Sequence, residues 1–134
     1  MTSRPVSIEA CRAEIAAQIQ AYRDLVGAAS KASGMSLARI DAALAAFEPA
    51  FFNNLLVALD ARFPQRPRET TASVEVALLA DALLHHGGVL TANADLPYDA
   101  DVAMLRLDIG ERVSLNAEDV ELLATAFLAE IEGA

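Results

Sequence analysis

Residues 72–86 read Ala72-Ser-Val-Glu-Val-Ala-Leu-Leu-Ala-Asp-Ala-Leu-Leu-His-His86, and Gly87-Gly88 follow. Val74, Val76, Ala77, Leu78, Leu79, Ala82, Leu83 and Leu84 cover most of a helical circumference. A helix that is apolar nearly all round is buried nearly all round, so this segment belongs at the centre of a helical domain. The glycine pair suits a left-handed C-cap. Upstream, Pro64 to Thr71 holds two prolines among polar residues and cannot continue a helix.

Working outward toward the N-terminus, residues 50–63 carry Phe51, Phe52, Leu55, Leu56, Leu59 and Phe63 on a broad apolar face. Three of the five phenylalanines lie here, which makes this helix a second contributor to the core. Ser36 is placed to cap a helix running through Phe47, with Leu37, Ile40, Ala43, Leu44 and Phe47 on one side. Pro49 then either kinks that helix or sits in the first turn of the next. Ile8, Cys11, Ile15, Ile19, Tyr22 and Val26 step by three or four, giving a helix over about residues 7–30 capped by Ser7. The small residues from Gly27 to Gly34 end it, so it has the form of an N-terminal arm able to pack on a second subunit.

Toward the C-terminus the period changes. Leu105, Leu107 and Ile109 alternate with Arg106 and Asp108, and Val113 and Leu115 alternate with Arg112 and Ser114. A period of two around Gly110-Glu111 predicts a small β-hairpin, with Val89 to Thr91 as a further short strand; a helical turn over 101–107 is the alternative. Asn116 and Asp119 form a capping-box spacing that opens a last helix through Glu132. The expected fold is thus mainly α: one helical domain over residues 1–134, a bundle of about five helices with a small β-hairpin between residues 89 and 115.

Composition narrows the function. The chain is 54% apolar and carries a formal charge of −9, from 19 acidic and 10 basic side chains. Such a field opposes unspecific binding to nucleic acid or to anionic lipid. No uninterrupted apolar run approaches the roughly 20 residues that cross a bilayer, and Met1 to Val6 has no signal-like stretch. The single cysteine, Cys11, cannot form an internal disulfide. These features lead to the expectation of a cytoplasmic protein without nucleic-acid or membrane partners.

Catalytic signatures are sparse. Neither a Gly-x-Ser-x-Gly elbow nor a glycine-rich phosphate loop occurs. Cys11 falls on an apolar helix face, where a small inert thiol is the common outcome. His85 and His86 point about 100° apart on a helix; Asp81 and His85 have a two-ligand spacing, yet nothing supplies the remaining ligands. No catalytic residue, metal ligand or cofactor is therefore assigned, and the balance leans away from an enzyme. Asn53 and Asn54 sit mid-helix, where asparagine needs a reason: a ligand-facing amide pair or, more plainly, either a solvent-facing pair or one amide closing a buried hydrogen bond to a neighbouring loop. Arg62, Arg66 and Arg68 form the one basic cluster. Guanidinium groups on a proline-stiffened loop suit a carboxylate or phosphate, although pairing with the many local carboxylates is the plainer expectation.

Phe51-Phe52-Asn53-Asn54, Leu59-Asp60, Phe63 and Arg66-Pro67-Arg68 together resemble a group of small actinobacterial proteins. Their pattern runs Phe-Phe-Asn-Asn, Leu-Asp, Phe-x-His-Arg-x-Arg, then a glycine-rich loop. The likeness extends through Glu75-Val76, Gly87-Gly88-Val89, Gly110-Glu111 and Ala126 to Glu132, roughly residues 47–132. Gln65 stands where that pattern has histidine, and the loop is shortened to Thr70-Thr71-Ala72-Ser73. The resemblance implies the segmentation and no activity.

Two functional expectations follow. The first is a non-enzymatic protein-interaction or dimerisation module, most simply a homodimer, because the apolar content exceeds what 134 residues bury alone. The second is a small anionic-ligand-binding protein or enzyme using Arg66 and Arg68, with Asn54 and Asp60 nearby.

Overall fold

The computed structural model describes residues 8–31 and 36–133. The Ser7 cap lies outside them, as does part of the Gly27–Gly34 stretch. Among the described residues there are four helices: α1 (Ile8–Ala29), α2 (Ser36–Ala61), α3 (Thr71–His85) and α4 (Ala117–Glu132). Among the described residues there is no strand, only the isolated bridges Val89↔Arg112 and Asn93↔Leu96. The architecture is mainly helical, as the periodicities require, but with four helices in place of about five and without the hairpin.

The lost helix boundary is at Pro49. The segments expected at 36–47 and 50–63 form one continuous helix with the proline inside it. An interior proline removes one backbone hydrogen bond and crowds the preceding turn, at a cost of about 3 kcal/mol. Burial of Phe52, Leu55, Leu56 and Leu59 along the second half offsets that cost. The first half is held differently: between Ala38 and Phe51 no residue is buried.

The hairpin fails because its backbone groups are engaged elsewhere. Gly110, at φ +97°, makes the expected turn, with Glu111 N–H donating to the Asp108 carbonyl at 3.0 Å. The arm after the turn then pairs with residues 88–90. Leu90 N–H donates to Glu111 O at 2.8 Å, and Val113 N–H to Gly88 O at 2.7 Å. The arm before the turn is broken at Arg106, which has φ +55°, a left-handed conformation that no strand continues through. Side chains occupy much of the rest. Glu75 accepts from Met104 N–H at 2.7 Å and Leu105 N–H at 3.0 Å. The Asn53 amide accepts from Leu115 N–H at 3.1 Å and donates to Val113 O at 3.3 Å. The alternation in the sequence records which residues face inward, Val113 and Leu115 being buried, and not a ladder.

One hydrophobic cluster joins all four helices. α2 and α4 each touch the three other helices, whereas α1 and α3 do not touch each other. α3 is the most enclosed, as its all-round apolar pattern demands, because α2 and α4 cover one side while Leu90, Leu96 and Ala103 of the 88–115 loop are buried beside it. α1 inserts Cys11, Ile15, Ile19 and Tyr22 into the same core. Arg12 to Glu132 (2.9 Å) and Arg23 to Glu121 (3.2 Å) tie it to α4. α4 opens with the expected capping box: Asn116 Oδ1 accepts from Asp119 N–H at 2.8 Å, and Asp119 Oδ2 from Asn116 N–H at 3.1 Å.

Candidate functional site

α2 ends at Ala61, and the proline-bounded loop turns the chain into α3. That turn sets the basic cluster beside the C-terminal end of α2. Arg66 folds inward, its side chain 2% exposed. Its Nε donates to Ser73 Oγ at 2.8 Å, Nη1 to the carbonyls of Asp60 and Phe63 at 3.2 Å each, and Nη2 to Asp60 Oδ1 at 2.6 Å and Ser73 O at 3.2 Å. The guanidinium also lies 4.6 Å from the centroid of the Phe127 ring. Every nitrogen is engaged within the chain, so Arg66 stitches α2, α3 and the loop together. Burial lowers its pKa while Asp60 opposes the shift, and a guanidinium stays charged regardless. Arg62 pairs with Glu14 of α1.

Arg68 behaves in the opposite way. It is exposed and forms no ion pair among the described residues. It lines a cleft of about 340 Å³ between the end of α2, the outer side of α3 and the loop around residues 93–96. Asp60, Asp81, His85, Asn93 and Asp95 also line this cleft, over an apolar base that includes Ala77 and Leu96. The Asn93 side chain accepts from Asp95 N–H at 2.9 Å, and Leu96 N–H donates to Asn93 O at 3.0 Å, so a tight turn presents Asp95 at the rim. Asp81 is 3.2 Å from Nε2 of His86, not His85. Among the described residues no three or more His, Cys, Asp or Glu converge as a metal site would need.

The four residues singled out from the sequence are therefore not brought to one place. Asp60 and Arg68 share the cleft, Arg66 lies beneath it with its donors engaged, and Asn54 lines a different surface hollow beside Phe47 and Phe51. Asn53 is the asparagine that closes buried hydrogen bonds. Cys11 is wholly buried, and burial raises its pKa, so it stays a protonated packing thiol.

Two carboxylates outside any sequence motif hold loops and helix ends in place. Glu75 is 1% exposed and has no cationic partner among the described residues; burial pushes its carboxyl above the usual range, opposed by the two N–H groups it accepts from. Its signal in the sequence is an acidic residue inside the otherwise apolar run Val74 to Ala80. Glu130 reaches from α4 to accept from Thr70 Oγ1, Ala72 N–H (2.9 Å) and Ser73 N–H (3.0 Å). It caps α3, whose own Thr70 makes no side-chain cap, and no local motif announces such a partner.

The other prominent surface is apolar. Beyond Tyr22 on α1 and before Phe52 on α2, the two helices lean on each other, with Tyr22, Phe47 and Phe51 stacked at centroid distances of 5.4–6.5 Å. Leu25, Val26 and Phe47 remain 38–49% exposed there. Ala38, Ala42, Ala46, Ala50, Asn54 and Ala58 recur every four residues on α2, and all are exposed. Joined across Pro49, α2 is long and apolar enough to cross a membrane by length and composition alone: over Ala38–Ala61 its best 18-residue window has a mean hydropathy of 1.5, and only 22% of it is buried.

No family model, curated protein or solved structure matches the chain. Its surfaces are therefore read from their own chemistry.

Proposed function

We propose that the chain is a non-enzymatic helical interaction module that pairs with a second copy of itself through the exposed hairpin of α1 and α2. The observation that carries this reading is the 14-residue run from Ala38 to Phe51 without one buried residue. At 1.5 Å per residue it offers roughly 21 Å of helix, apolar on most of its surface. Small residues at four-residue spacing form a shallow ridge that lets a second helix approach closely.

The charge distribution favours a second copy. Residues 1–50 hold five basic and five acidic side chains, whereas residues 51–134 hold five basic and fourteen acidic. The Ala38–Phe51 run itself carries one basic and two acidic side chains, so two copies meeting along it join weakly charged surfaces and keep their more acidic parts apart. A bilayer fits this face less well. Arg39, Asp41, Glu48 and Asp60 lie along α2, and each costs about 2.5–3.5 kcal/mol near a membrane centre on insertion scales.

Sedimentation equilibrium of the full chain at roughly 100 μM populates any dimer with a micromolar dissociation constant. The expected result is a dimer that becomes monomeric in the Phe47→Asp variant with unchanged helical circular dichroism. A strict monomer at that concentration overturns the proposal. So does a monomer that binds neutral phosphatidylcholine vesicles, which assigns the face to lipid.

A further inference from the structure

The cleft at the opposite end of α2 carries charges of both signs that do not close on one another. Arg68 has no ion-pair partner among the described residues, although Asp60, Asp81 and Asp95 line the same cavity. The Asp95 carboxylate accepts no hydrogen bond from the described residues. Asp60 and Asp81 each engage one carboxylate oxygen, with Arg66 and His86 respectively, and their second oxygens have no partner among the described residues. In a protein with 19 acidic side chains, a lone guanidinium ordinarily finds a carboxylate. Here the opposing groups are held apart on separate elements: Arg68 on the proline-stiffened loop, Asp81 on α3 and Asp95 on the Asn93 turn.

Apolar groups complete the cavity. Ala77, Ala80 and Leu96 lie within it, and Leu84 stands at its edge, 59% exposed. The cavity measures about 340 Å³. That is at the small end of the roughly 300–1,000 Å³ range of ligand pockets. A phosphate or other polyanion is disfavoured, since one available guanidinium faces three carboxylates. A metal ion is disfavoured as well, because the carboxylates do not converge.

We infer that this cleft binds a small aliphatic zwitterion of the amino-acid class. Arg68 takes the ligand carboxylate through its planar fork, and Asp95 with Asp81 takes the ammonium. Leu84 and Leu96 contact the aliphatic portion. Arg66 acts from beneath, fixing the Asp60 carboxylate at the cleft edge. This site is independent of self-association, since its lining residues lie outside the exposed run from Ala38 to Phe51.

The test is a titration of the uniformly ¹⁵N-labelled full chain, following backbone amides, with three probes: L-leucine, putrescine and inorganic phosphate. Leucine is expected to shift the amides of Asp81, His85, Asn93 and Asp95 saturably. Arg68→Ala and Asp95→Asn are each expected to weaken it by about tenfold, the usual range for loss of a charged hydrogen bond. Neither side chain holds a hydrogen-bond or ion-pair partner among the described residues, so both variants are expected to retain the native spectrum. Absence of saturable shifts with leucine overturns the inference. Putrescine or phosphate binding as tightly as leucine also overturns it, by assigning the cleft to a simple cation or anion.

Discussion

From Phe52 onward the loops are tied down by side chains: Asn53, Glu75 and Glu130 reach from helices to residues 113 and 115, to residues 104 and 105, and to the start of α3, while Arg66 reaches from its own loop to Asp60, Phe63 and Ser73. Before Phe52 the paired ends of α1 and α2 have stacked rings and one described polar tie, from the Tyr22 hydroxyl to Glu48. The more acidic region uses its polar residues on its own backbone, while the paired ends of α1 and α2 leave apolar side chains uncovered. Buried hydrogen bonds fix a single arrangement of loops because their alternative is an unsatisfied group away from water. Apolar contact is undirected and is completed as well by another molecule as by the same chain.

The sharpest way to break this contrast is Arg66→Ala. Truncation removes five donors at once and leaves the Asp60 carboxylate, 17% exposed, without its cation, together with Ser73 and two carbonyls. Breaking one side of a largely buried pair costs about 3–5 kcal/mol. Urea denaturation is expected to show a loss of that size. A loss below about 1 kcal/mol, the level of a surface pair, means that packing alone holds the acidic region. Arg66→Lys is expected to recover only part of the loss, because an ammonium cannot reproduce the fork.

Glu75 sharpens the comparison through pH. Burial raises its carboxyl pKa in the folded chain, so the folded state holds the proton more tightly than the unfolded state does. From the ordinary carboxyl range up to the raised value, the unfolded chain binds fewer protons, and stability falls as pH rises; above the raised value the contribution levels off. Glu75→Gln cannot ionise and lacks this fall. Denaturation of both proteins over a pH series is therefore expected to show stability of the variant relative to the parent increasing with pH across that window. An opposite slope means that the two backbone donors outweigh burial, and that Glu75 acts as a stabilised anion.

Much of the fold was legible because helix faces and caps are local. The 7–30 and 72–86 expectations fall within a residue or so of α1 and α3, and the Asn116–Asp119 box is formed as read. Pro49 misled because a local breaker is overruled when the residues beyond it, Phe52 to Leu59, bury well in helical register. The alternation at 105–115 misled because a period of two reports inward and outward facing, which an irregular loop clamped by Asn53 and Glu75 also satisfies. At the arginine loop, the sequence shows a basic cluster but not which of its members is buried. Arg66 and Arg68 are two residues apart, and only tertiary structure separates the buried clamp from the exposed cation.

The adjacent asparagines give the finest test of the same contrast, because sequence treats Asn53 and Asn54 alike and the structure places them on different surfaces. Asn53 is half-buried with donor and acceptor both engaged by the 113–115 backbone; Asn54 is exposed in line with the alanine ridge. Asn53→Ala leaves Leu115 N–H without its acceptor and is expected to cost about 1–3 kcal/mol. Asn54→Ala removes no hydrogen bond to the described residues and raises helix propensity, so its expected effect stays within about 0.5 kcal/mol. Amide hydrogen exchange locates the difference, since a buried clamp protects the amide that it bonds. Faster exchange at Leu115 is expected in the Asn53 variant and not in the Asn54 variant. Equal effects of the two substitutions mean that the boundary between clamped body and open helix face does not run between these two neighbours.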